Sequence, residues 1–271
     1  MNNAPELRMR PQPLAAGAGG VLVETTPAGA GWEYLSFQVR RVVPGAPWTG
    51  NTGDQEAALV LVGGRITLRA GDATWAMGER PHPFAGLPWS AYLPPRTAFT
   101  IEAAEPADVA WAEAPAEGRY PARLISPQDV RIEDRGTGST ARTVRHMLPP
   151  EFPAERLIVV EVFTPEGHWS SYPPHKHDVE NLPHENLLEE TYYYRIDPPQ
   201  GFALQRIYTR DGRWDVAVVA EDGDLVLVPE GYHPVSAAAG YTCYYLNAQA
   251  GPSRAWLTQD DPRHTWIKNR G

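Results

Sequence analysis

The 271-residue chain is predicted to be all-β, built as two β-sandwich or jelly-roll barrel units in tandem. Three observations carry that expectation. Short apolar, β-branched or aromatic runs alternate with clusters of Pro, Gly and Asp, in a chain holding 28 Pro and 24 Gly, which is the texture of many short strands. Nowhere do apolar residues recur at i, i+3, i+4 and i+7 over the length a packed helix needs. The two halves also resemble each other: Ala91-Tyr92-Leu93 before Pro94-Pro95 looks like Val226-Leu227-Val228 before Pro229-Glu230.

Taken in order, residues 1–30 are rich in Gly, Ala and Pro and read as a flexible lead-in, with order beginning near Trp32. A first domain over 31–128 is expected to hold strands at Tyr34–Val39, Ala57–Val62, Arg65–Leu68, Ala91–Leu93 and Ala98–Ile101, with Gly63-Gly64 as a hairpin turn. Ala104–Pro127 is weaker and interrupted by proline. The charged segment Val130–Arg145 reads as a solvated connector at the head of a second domain, 129–271. Strands are expected there at Leu157–Phe163, after Glu190, and at Phe202–Tyr208, Trp214–Val219, Leu225–Val228 and Thr242–Leu246. Asp178–Leu188 reads as an irregular loop.

A net charge of −9 with both signs interspersed offers no basic stripe for a phosphate backbone, which argues against nucleic acid as a partner. The single cysteine, Cys243, rules out a disulfide framework and a thiolate metal cage, and sits in a strand-like run as a core residue. The N-terminal run lacks the apolar core of a signal peptide and no segment approaches bilayer length, so a cytoplasmic location without membrane contact is expected. Stacked sandwiches associate through edges and faces, so a homo-oligomer is expected too.

One stretch concentrates the chemistry: Tyr172-Pro173-Pro174-His175-Lys176-His177-Asp178. Two histidines one residue apart face the same side of an extended strand and can grip one metal ion. A lone His-X-His is more simply two surface histidines. Here Pro173-Pro174 stiffen the approach, and Gly223-X5-Pro229-X-Gly231-X-His233 adds a third histidine at the end of a strand. A carboxylate completes the set from Glu180, Glu185, Glu189 or Glu190. Glu190 is preferred because Thr191-Tyr192-Tyr193-Tyr194 continues as a strand that would hold it rigidly. His175, His177, Glu190 and His233 are thus the expected ligands of a divalent ion. His82, His146, His168, His184 and His264 read as solvent-facing or structural. No nucleophile elbow, His-Glu-X-X-His, phosphate loop or dinucleotide fingerprint occurs.

His-X-His, a following Glu, and Gly-X5-Pro-X-Gly with a closing His resemble the cupin superfamily, and the first half lacks the ligands. The run Trp169–Asp178 with Asn181-Leu182-Pro183, Leu188–Tyr194, Gln205-Arg206-Ile207-Tyr208, Val228–Val235 and Tyr244–Asn247 is similar to the 5-deoxy-glucuronate isomerase family of inositol catabolism. That resemblance implies a bicupin, related to the 5-keto-4-deoxyuronate isomerases, with zinc, or else manganese or iron, on the four ligands. It implies an aldose–ketose isomerisation of a small sugar acid, 5-deoxy-D-glucuronate to 5-dehydro-2-deoxy-D-gluconate. Glu189, Lys176 and Tyr192 are the candidates for proton transfer, although alternation turns Lys176 and Glu189 away from their ligand neighbours. Arg142, Arg145 and Arg206 are candidates for the substrate carboxylate, and Tyr172, Tyr194 and Tyr208 for the cavity wall. The competing readings are an iron dioxygenase on the same ligands and a non-catalytic sugar-acid-binding cupin.

Overall fold

A computed structural model describes residues 6–269; their regular secondary structure is almost all β-strand, with one short α-helix, Pro27–Ala30, and three 3-10 turns. The chain divides into two compact units.

The unit that holds the histidine motif takes the run ending at Arg10, Ile132–His146, and the chain from Val160 onward. Its larger sheet has seven strands in the order Arg8–Met9, Leu225–Val228, Glu189–Asp197, Thr242–Ala250, Ile158–Thr164, Arg142–Leu148 and Arg131–Arg135. The smaller has four: Trp169–Ser170, Val235–Ala237, Phe202–Tyr208 and Asp215–Glu221. In Phe202–Tyr208 the period of two is plain. Ala203, Gln205 and Ile207 are buried while Phe202, Leu204 and Arg206 face out. Ala203 and Ile207 pack with Tyr192, Tyr194, Val226, Val228 and Tyr245 of the larger sheet into one core. The almost fully buried pattern of Leu225–Val228 and Thr242–Ala250 follows from their interior places in that sheet.

The other unit comprises Pro11–Arg131 and Met147–Val159 and carries a nine-stranded sheet system. Its axis is one sixteen-residue strand, Gln55–Ala70. Gly63-Gly64, expected as a hairpin turn, lies inside that strand instead. The pairing register slips on both sides of the glycines, and there the strand changes partners, from Ala107–Pro115 and Ser90–Leu93 to Ala73–Arg80 and Ala98–Ala103. Only glycine fits the bend: a Cβ on Gly63 would lie 2.7 Å from the Pro81 carbonyl oxygen, and Gly64 has φ +103 with a Cβ position 2.7 Å from that of Ala107. Met147–Val159 is held in this unit by buried Glu56, whose carboxylate accepts the N–H groups of Glu155, Arg156 and Leu157 at 2.7, 2.6 and 2.7 Å and the Tyr92 hydroxyl at 2.9 Å.

Several expectations are corrected. Residues 6–30 are not a flexible lead-in: Arg8–Met9 pairs with Leu225 and Val226, and Gly20–Thr25 pairs with Ser36–Val42. Val130–Arg145 is no solvated connector, because Arg131–Arg135 and Arg142–Leu148 are strands of the seven-stranded sheet. The division placed at 128/129 misses the return of Met147–Val159 to the earlier unit. Residues 1–5 of the lead-in lie outside the described residues.

Candidate metal centre

His175 begins the two-residue strand His175–Lys176, paired with Gln259–Asp260 so that His175 lies opposite Asp260. His177 follows, Glu190 sits near the start of Glu189–Asp197, and His233 stands just past the turn after Leu225–Val228. Register brings the last two together, because Glu190 pairs with Val228 on one side and Gln249 on the other. The three imidazoles offer ligand nitrogens that all lie within 4.8 Å of one another. Glu190 Oε2 is 3.1 Å from His177 Nε2 and 3.2 Å from His233 Nε2.

Each ring is oriented through its far side. His177 Nδ1 donates to the Leu188 carbonyl at 2.9 Å and His233 Nδ1 to the Gly231 carbonyl at 2.8 Å, which leaves both Nε2 lone pairs directed inward. Gln249 Nε2 donates to Glu190 Oε1 at 2.6 Å and fixes the carboxylate. Burial pushes His175 and His233 down to about 3, so both are neutral donors at physiological pH. Burial acts against the charge on His177 and Glu190 as well, but their mutual bond outweighs it, raising the imidazole and lowering the carboxyl.

Fit to a metal can be judged from one atom. His233 Nε2 is fully buried and has no hydrogen-bond partner, an arrangement that costs free energy unless something else occupies the lone pair. Three imidazole nitrogens and a carboxylate oxygen suit a divalent first-row ion, so the residues fit.

The centre opens on a cavity of about 500 Å³ lined by His175, Glu190, Tyr192, Tyr172, Arg135 and Arg142 together with Ser171, Tyr245, Asn247, Gln249, Trp256, Asp260 and Lys268 among others. The chain is matched by the KduI/IolB family over residues 7–267. It belongs to that family. Among relatives of the KduI/IolB chain, the 5-deoxy-glucuronate isomerase of Geobacillus kaustophilus is 49% identical over 250 residues, covering 92% of this chain and 91% of that protein. The isomerase of Bacillus subtilis strain 168 is 43% identical over 268 residues, with 97% and 99% covered. At that likeness the chain is an isomerase. An IolB-like protein from Salmonella typhimurium LT2 superposes with a TM-score of 0.94 at 41% identity, covering 97% of this chain and 100% of that one. The oxalate decarboxylase of Lactobacillus farciminis matches at a TM-score of 0.70 and 12% identity over 99% and 92%, which carries the bicupin fold alone.

Of the proton-transfer candidates in the KduI/IolB chain, only Tyr192 lines the cavity. Its hydroxyl lies 3.0 Å from Ser171 Oγ, and burial, then the Glu190 charge, raise it well above the ordinary phenol range. Lys176 turns away to Asp178 and Glu185, bonds that outweigh burial and keep it charged. Glu189 is buried on the opposite face of its strand from Glu190. Arg142 and Tyr172 line the cavity. The other substrate candidates do not. Arg206 is an exposed partner of Asp215, Arg145 pairs with Glu161, Tyr194 donates to Gln205 Oε1 and Tyr208 to Asp261. Residues the sequence reading passed over include Arg135, Tyr245, Asn247 and Gln249. The last three recur at a period of two in a strand opposite Glu190, a signal that register would have exposed.

Proposed function

We propose that this chain converts 5-deoxy-D-glucuronate to 5-dehydro-2-deoxy-D-gluconate at a divalent metal, zinc by preference, as a step of inositol breakdown. The observation that carries the reading is the cluster of three imidazoles with Glu190 beside them, opening on a cavity that Arg142 lines, in a chain of this family. A divalent ion held by His175, His177, Glu190 and His233 would supply a Lewis acid that polarises the substrate carbonyl and its neighbouring hydroxyl.

The reaction moves the hydrogen on C2 to C1 and the C2 hydroxyl proton to the C1 oxygen, so an aldehyde becomes an alcohol and an alcohol becomes a ketone. Tyr192 remains protonated at neutral pH and can donate to oxygen, with Ser171 as its hydrogen-bond partner. Glu190 is bonded on both oxygens and is kept for the metal.

Proton NMR of 5-deoxy-D-glucuronate with the purified chain tests the reading. Formation of the 2-deoxy-5-keto acid, abolished by chelator and restored by zinc, manganese or iron, is the expected result. An unchanged sugar with metal bound would overturn it, and oxygen uptake in the same tube would favour an iron dioxygenase.

A further inference from the structure

The cavity contains three cations, and two already have counter-ions. Arg135 meets Glu133 through Nε at 2.7 Å and Nη2 at 3.0 Å, and Lys268 meets Asp260. Arg142 has none. Nη1 donates to the Thr140 carbonyl at 3.0 Å, and among the described residues Nε and Nη2 find no acceptor. The nearby acids are committed elsewhere: Glu133 also bonds His146 at 2.9 Å, and Glu190 is taken by His177 and Gln249.

A partly buried guanidinium with no carboxylate is an expensive group to keep, and burial depresses its proton affinity. The fold nonetheless builds a seat for it. Gly136 has φ +75, and a Cβ there would stand 2.2 Å from the Thr140 carbonyl oxygen and 2.7 Å from Arg142 Nη1, so the turn that presents this carbonyl to the guanidinium closes only because residue 136 is glycine. Arg142 lines the same cavity as His175 and Glu190.

We propose that Arg142 is the specificity-determining residue for a carboxylate, completing its ion pair with the acid group of a substrate whose other end reaches the histidine cluster. The inference rests on the sugar-acid reading for its choice of ligand. Arg135, already neutralised, contributes position rather than charge. A planar fork matches a carboxylate through two parallel bonds, which a lysine or an amide cannot reproduce.

The test uses the metal-loaded chain and two ligands that cannot turn over: 5-deoxy-D-glucuronate reduced at C1 by borohydride, and the C6 primary amide of that product. By calorimetric titration the wild type should bind the acid at least tenfold more tightly than the amide. Arg142→Gln should bind both with the amide's affinity, Arg142→Lys should fall between, and Arg206→Gln should match wild type. In turnover, Arg142→Gln should raise KM far more than it lowers kcat. Equal wild-type affinity for acid and amide, or an acid preference kept within twofold in both Arg142 variants, would overturn the proposal. A wild type that prefers the acid yet leaves 5-deoxy-D-glucuronate unchanged would sink the reaction and leave the anion site standing.

Discussion

Gln249 and Glu190 are cross-strand neighbours joined by a 2.6 Å hydrogen bond from the Gln249 amide to Glu190 Oε1, while Oε2 faces two histidines. The amide therefore sets the angle at which the carboxylate would meet an ion. Removing such a partner weakens metal binding by about 10- to 100-fold. Gln249→Leu should lose affinity in that range with the fold intact, read by competition against a chromophoric chelator. Unchanged affinity would mean that strand pairing alone orients Glu190.

Asp178 ties the two histidine arms together. One oxygen accepts the Gly231 N–H at 2.9 Å and the other accepts from Lys176, which is itself bonded to Glu185 at 2.8 Å. Asp178→Ala leaves the Gly231 N–H without its acceptor and takes from Lys176 one of its two carboxylate partners, Glu185 remaining, which costs about 1–3 kcal/mol. The melting temperature should fall, and the rise in melting temperature on adding zinc should shrink, because the His177 and His233 arms lose their link. A full zinc-induced rise would confine Asp178 to stability.

Tyr192→Phe removes one oxygen from the cavity and leaves every proposed ligand in place. Proton transfer by a positioned group is worth about 10²- to 10⁴-fold. The expected result is a kcat at least a hundredfold lower with metal content and KM near wild type. A kcat within threefold would return Tyr192 to a packing role, alongside its ring contact with Tyr245 at 4.8 Å.

The all-β class and the candidate histidine cluster were both legible in the sequence, and the strand pairings around them were not. His175, His177 and His233 declare themselves by alternation and by the turn before His233, both local properties. Glu190 could be preferred because a strand follows it. What the sequence concealed was non-local. Arg135 sits in a charged run that looks solvated, and only its place in the edge strand of the seven-stranded sheet turns it toward the cavity, while Arg142 of the same run could be named from sequence only as one of three arginine candidates. Gly63-Gly64 has the composition of a hairpin, yet tertiary pairing on both sides makes it a bend inside one strand. Arg8–Met9 is too short to register as a strand until its partner, Leu225–Val228, is known.

Glu56 gives the other unit a comparable test. Its carboxylate, fully buried, accepts three backbone N–H groups and one hydroxyl. Glu56→Gln would turn an amide donor toward donors, at a cost of about 2–4 kcal/mol. Hydrogen exchange should then quicken at Glu155, Arg156 and Leu157 before it does in the Gln55–Ala70 strand. Uniform exchange across both would show that the segment does not depend on this anchor.

Asp261 offers a pH-dependent test away from the ligands. Its side chain is almost fully buried. It accepts the Tyr208 hydroxyl at 2.7 Å and Arg263 Nη2 at 2.7 Å, and its backbone N–H donates to the Pro174 carbonyl at 2.7 Å. Burial would raise the carboxyl, but the bonds from Arg263 and Tyr208 outweigh it and hold it well below its ordinary value. A carboxyl whose folded pKa lies below the unfolded value, about 3.9, adds stability that is present above that pH and lost as pH falls toward the folded value. The melting-temperature gap between wild type and Asp261→Asn should therefore be widest at neutral pH and narrow steadily below about pH 4. Arg263 is largely exposed, so added salt should shrink only the part of the gap that it supplies and leave the part held by Tyr208. A gap that does not change with pH would mean that Asp261 acts through shape and hydrogen bonding rather than charge.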